Sequence, residues 1–156
     1  MRIILSKVFV AFAITSVAAL GADNTLGTWK LNVAKSTYTP GPMPIKSLTI
    51  TREASDGGVK HTTKGERADG TAVNASYTAK YDGKDVQVSG NAQYDTIAIK
   101  QVNANTLTDE RKKTGGPYTA TGRTVISNGG KILTVTTKGT NADGKEFSQI
   151  LVFDKQ

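Results

Sequence analysis

One segment of this chain occurs twice, and that repeat limits the fold more than any other feature. Residues 62–70 read Thr-Thr-Lys-Gly-Glu-Arg-Ala-Asp-Gly, and residues 136–144 read Thr-Thr-Lys-Gly-Thr-Asn-Ala-Asp-Gly. A Gly-Gly turn stands upstream of each copy, Ser55-Asp56-Gly57-Gly58 and Ser127-Asn128-Gly129-Gly130. An alternating strand follows each copy. Two strand–turn–strand–turn–strand units in a chain of 156 residues imply an all-β antiparallel meander, closed or nearly closed on itself.

Strands are expected near 26–33, 46–54, 58–67, 71–81, 85–89, 94–102, 105–114, 117–127, 131–140 and 145–154. Asp56-Gly57, Asp69-Gly70, Asp82-Gly83, Asn128-Gly129 and Asp143-Gly144 supply the positive-φ residues that tight hairpins need. The repeat also assigns faces. Leu133, Val135 and Thr137 match Val59, His61 and Thr63; Phe147, Gln149, Leu151 and Phe153 match Val73, Ala75, Tyr77 and Ala79. Those residues are read as inward. The opposite face carries Lys60, Thr62, Lys64, Thr134, Thr136 and Lys138, which weighs against the apolar outer band of a membrane barrel. Large aromatics are few, so a barrel enclosing a modest cavity suits the composition better than a sandwich with two full inner faces.

Residues 1–22 are read as a secretory leader. Arg2 and Lys7 flank the start, Val8 to Leu20 is apolar but for Thr15 and Ser16, and small residues follow, with cleavage placed near Gly21 or Ala22. That leaves a single domain over 23–156. Losing Arg2 and Lys7 lowers the formal net charge from +7 to about +5. The chain has no cysteine, so disulfides and thiolate metal sites are excluded. Export without disulfides fits a bacterial periplasmic or secreted protein, with no membrane span once the leader is gone.

Leu26-Gly27-Thr28-Trp29-Lys30-Leu31 resembles the Gly-x-Trp opening of lipocalin and fatty-acid-binding-protein barrels, and Val152-Phe153-Asp154-Lys155-Gln156 resembles the closing strand of the fatty-acid-binding branch. The chain is thus similar in architecture to the calycin group, most nearly to bacterial lipocalin-like proteins of unassigned function. The resemblance implies an antiparallel barrel of 8–10 strands. It also implies that Trp29 plugs one barrel end against a basic residue of a late strand, for which Arg123 is the candidate. Alternation with Val125 places Arg123 inward, whereas alignment of the Gly-Gly turns pairs it with Thr51 on the outer face. One departure is plain. Thr39-Pro40-Gly41-Pro42-Met43-Pro44 stands where the fatty-acid-binding branch has a helical lid, and this segment cannot continue a helix.

His61 is the only histidine, and no Cys, His or carboxylate clusters near it, so no metal and no cofactor is expected. Asp109 and Arg111 share a face with Leu107. Either they point inward, where an ion pair needs a partner or polar ligand, or the strand places them at a rim. Tyr77 and Tyr81 share a face of one strand. No nucleophile elbow, phosphate loop or metal motif occurs, and Arg111-Lys112-Lys113 is too short a basic run for nucleic acid. The expectation is a non-enzymatic barrel binding a small apolar or amphipathic ligand, with His61, Tyr77, Arg111 and Gln149 as wall contacts. Two alternatives stand beside it: a cell-envelope module with a filled core, and an isomerase or cyclase using His61 or Asp109 as base.

Overall fold

The computed structural model describes residues 22–156. The expected leader therefore lies outside the described residues, except for Ala22. Eleven strands follow in chain order: β1 Gly27–Leu31, β2 Thr37–Thr39, β3 Ile45–Ser55, β4 Gly58–Arg67, β5 Ala72–Lys80, β6 Val86–Gln87, β7 Thr96–Asn103, β8 Thr106–Lys112, β9 Thr119–Ser127, β10 Ile132–Thr140 and β11 Glu146–Lys155. Their order across the sheet is β5-β4-β3-β1-β11-β10-β9-β8-β7-β6, and each neighbouring pair is antiparallel. The two ends of that path meet where Ser76 and Ser89 exchange backbone hydrogen bonds at 3.0 and 2.9 Å. The result is a nearly closed ten-strand meander barrel, as the repeat implies.

The repeated units are β3–β4–β5 and β9–β10–β11, and their registers superimpose. Arg52, His61 and Tyr77 are consecutive cross-strand partners in the first unit; Thr124, Val135 and Leu151 occupy the same places in the second. The glycine of Thr-Thr-Lys-Gly has the same cause in both. A Cβ at Gly65 would overlap the Ser47 carbonyl, and one at Gly139 would overlap the Thr119 carbonyl. Close strand approach, not a turn, holds glycine at these two positions.

Between β1 and β2 the chain makes a single 3-10 turn, Val33–Lys35. Both strands pair with the same edge of β11, so they form one interrupted strand. Ser36 patches the gap: its Oγ accepts the Val152 amide at 3.0 Å and donates to the Asn32 carbonyl at 2.7 Å. The sequence reading missed β2, because three residues between Ser36 and Pro40 carry too little alternation to register. Residues 40–44 form an irregular connection with no helix, in line with their prolines.

Two apolar clusters fill much of the interior. Trp29, Leu31, Leu48, Ile50, Ile126, Leu133, Leu151 and Phe153 form one, on β1, β3 and β9–β11. Val59, Ala79, Val88, Ile97, Ile99 and Leu107 form the other, toward β4–β8. Tyr118, Ala120 and Phe147, with Tyr38 and Tyr94 packed against them, make a third, aromatic group.

Candidate functional site

One barrel end is closed by the residues just before β1. The Asn24 amide donates to the Ala104 carbonyl at 2.9 Å, tying this segment to the β7–β8 turn. Trp29 is fully buried, and its Nε1 donates to the Thr25 carbonyl at 2.9 Å. The cation over its ring is Lys155, with Nζ 5.0 Å from the centroid. This corrects the expected partner. Arg123 is exposed on the outer face of β9, between Thr108 and Thr136. Thr124 and Ile126 face inward, so Val125 and Arg123 face out, and the turn alignment rather than the Val125 alternation locates Arg123.

Behind the plug lies a buried polar chain. Arg52 is 5% exposed. Its Nε donates to Thr25 Oγ1 at 3.0 Å, its Nη2 to the Tyr81 hydroxyl at 3.4 Å, and its Nη1 to His61 Nδ1 at 3.2 Å. Thr25 Oγ1 in turn donates to Asp23 Oδ1 at 2.6 Å, and the Tyr81 hydroxyl donates to Asp23 Oδ2. The carboxylate thus balances the guanidinium through two hydroxyls rather than by direct contact. Burial works against the Arg52 charge, but Tyr77, Tyr81 and Asp23 outweigh it and hold its pKa above the usual value.

The hydrogen bonds assign the His61 tautomer. A guanidinium only donates, so Nδ1 accepts and the proton sits on Nε2, which donates to Thr63 Oγ1 at 2.8 Å. The ring is neutral. Burial, then Arg52, then Arg111, push its pKa well below 6.5. Its face lies against Tyr77, with centroids 4.6 Å apart and planes 6° from parallel. Burial pushes the Tyr77 phenol up to about 12, so its hydroxyl keeps its proton and remains a donor.

The second ion pair is also inside. Arg111 Nη2 is 2.7 Å from Asp109 Oδ1 and 3.2 Å from Oδ2, and the side chains are 13% and 10% exposed. The inward alternative therefore holds, and the rim alternative does not. Its partner is its own neighbour two residues away on β8. Room for the carboxylate comes from Gly122, directly opposite on β9, where any Cβ would overlap Asp109. The Arg111 guanidinium also lies 5.5 Å from the Tyr94 ring centroid. Burial opposes its charge, and Asp109 more than compensates, so its pKa is raised.

These groups surround an interior cavity of about 140 Å³. Leu48, Ile50, Leu133, Val135, Leu151 and Phe153, from β3, β10 and β11, make up the aliphatic part of its lining, with Thr124 and Gln149 among them. Arg52, His61, Thr63, Tyr77, Tyr94 and Arg111 make up the polar and aromatic part, with Val73 and Ile97 among them. All four expected wall residues, His61, Tyr77, Arg111 and Gln149, border this space. Sequence reasoning missed Arg52 and Tyr94. Arg52 could have been found, because it continues the inward alternation Leu48, Ile50 by one step. A larger hollow of about 730 Å³ lies outside β8–β11, bordered by Thr121, Lys138 and Glu146. It is open to solvent, whereas the buried charges and rings converge on the smaller interior space. Among the described residues no cluster of His, Cys, Asp or Glu could hold a metal ion.

The fold is a nearly closed up-and-down antiparallel barrel with a tryptophan of its first strand buried at one end. No family model and no curated protein matches the sequence. Among solved structures, the chain is similar to zebrafish ileal bile acid-binding protein complexed with cholic acid, at 12% identity and a TM-score of 0.49, over 86% of this chain and 100% of that one.

Proposed function

We propose that this barrel is an exported carrier or sensor of a small amphipathic molecule, held in the interior cavity. The observation that carries the reading is the mixed lining of that cavity. Aliphatic residues supply much of it, and among them stand polar groups already fixed by their own hydrogen bonds and stacking. Such a lining binds by burying apolar ligand surface while a few placed donors set its orientation, at little ordering cost. The leader expectation makes the site of action periplasmic or extracellular. Intact-mass analysis of the exported protein checks this, with loss of residues up to Gly21 or Ala22 expected.

The small volume favours a second reading, a filled-core envelope module in which the polar chain serves only to close the barrel. The isomerase reading draws no support from the geometry. Both His61 nitrogens are engaged, and Asp109 is committed to Arg111. Native mass spectrometry of the protein recovered from its own source separates the first two readings. A retained molecule lost on denaturation is expected. A bare mass, together with no uptake of added amphiphiles, is the result that moves the assignment to the module.

A further inference from the structure

Three arginines reach the cavity, and their charges are not equally committed. Arg111 is bidentate on Asp109. Arg52 donates to Thr25, His61 and Tyr81 and is balanced by Asp23. Arg67, the last residue of β4, continues the inward parity of Val59, His61 and Thr63 and lines both the main cavity and a smaller one of about 60 Å³ that shares Ile45, Tyr94 and Arg111 with it. Among the described residues its side chain makes no ion pair and no hydrogen bond. The acids near it in sequence are committed elsewhere. Glu66 pairs with Lys46 at 2.7 Å, and Asp69, exposed, accepts the Thr71 amide at 2.9 Å; that bond first, and the Arg67 charge more weakly, hold its carboxyl below the usual range, with no direct ion pair to Arg67.

Side-chain amides stand around the same opening. Gln93 and Gln149 line both spaces, and neither side chain has a partner among the described residues. Asn91 lines the main cavity; its Oδ1 accepts the amides of Gln93 and Tyr94 at 2.8 and 3.4 Å, and its Nδ2 turns one hydrogen toward the Tyr94 hydroxyl, which leaves the other unspent. This end of the barrel, opposite the Trp29 plug, thus offers one unpaired guanidinium and three amides with free donors. The aliphatic wall lies deeper.

We infer that the ligand is an anionic amphiphile that enters apolar end first and leaves its negative group at the open end, on Arg67 with Gln93, Gln149 and Asn91. This rests on the cavity-binding reading above. The inner guanidiniums are left to shape the wall, since an anion reaching either would have to compete with a partner already in place.

Calorimetric titration with octanoate, octan-1-ol and octylammonium tests it. Octanoate is expected to bind roughly tenfold more tightly than octan-1-ol, and octylammonium most weakly. Added salt should weaken octanoate and leave octan-1-ol unchanged. Arg67→Gln should erase the octanoate advantage while octan-1-ol binds as before, which also shows that the variant is folded. Arg67→Lys should keep much of the advantage. Equal affinity for octanoate and octan-1-ol, or an advantage that survives Arg67→Gln, overturns the inference and leaves the cavity reading standing. Failure of all three probes overturns both.

Discussion

The two repeated units share a backbone and divide the work of the interior between them. At one level of the barrel, β3–β5 presents Arg52, His61 and Tyr77, while β9–β11 presents Thr124, Val135 and Leu151. One level further, Ile50, Thr63 and Ala75 correspond to Gly122, Thr137 and Gln149. Turns and backbone pairing specify the unit, and the inward side chains are free to differ once they do. At the Arg52 level the first unit carries polar recognition groups and the second carries core, whereas one level away Ile50 of the first unit and Gln149 of the second mix the two. One consequence is visible in an orphaned hydroxyl. Thr63 Oγ1 receives a hydrogen bond from His61. Its counterpart Thr137 Oγ1 is fully buried with no partner, because Val135 stands where His61 would be.

Substitutions at matched positions should break this asymmetry in a graded way. Arg52→Ala removes the buried centre of the polar chain and leaves half-buried Asp23 without its counter-charge. Loss of about 3–5 kcal/mol is expected in denaturant unfolding, against about 1 kcal/mol or less for Thr124→Ala. Gly122→Ala drives a Cβ into the Asp109 carboxylate and should cost about 2–4 kcal/mol, read the same way, whereas the corresponding site in the first unit already carries Ile50. His61→Val copies the second unit into the first. It leaves both Arg52 Nη1 and Thr63 Oγ1 short of a partner, for about 1–3 kcal/mol. Thr137→Val should have the smallest effect, neutral or stabilising by up to about 1 kcal/mol, since the hydroxyl it removes bonds to nothing.

Acid should act on the first unit alone through its histidine. His61 has a lowered pKa in the fold, so the unfolded chain takes up its proton first as pH falls. The stability associated with neutral His61 is therefore complete above about pH 6.5 and is lost as pH drops from there toward the lowered folded value. Thermal melts across this window should show a decline that flattens in His61→Val.

How much of this was legible in the sequence follows the same division. The repeat and its Asx-Gly turns displayed strand positions and faces, because register is carried by turn chemistry and period-two alternation, but they left Arg123 divided between an inward and an outward place. The inward sense of His61, Tyr77 and Gln149 came from matching each copy against the other. Contacts between elements distant in sequence were not legible. Nothing local to Asp23 announces that it balances Arg52, and nothing around Lys155 announces that it covers Trp29. The burial of the Asp109–Arg111 pair depended on a glycine thirteen positions beyond Asp109 and opposite it on β9, and alternation within β8 says nothing of that.

The division between recognition groups and core at the Arg52 level is the central claim, and amide chemical-shift mapping with octanoate tests it most directly. Titration should move resonances of the inward residues of β4 and β5, above all His61, Thr63 and Tyr77, together with Arg67 and Gln149 at the open end. The outer faces should stay still. Shifts confined to the outer hollow around Lys138 and Glu146, or a spectrum that octanoate leaves unchanged, would contradict it.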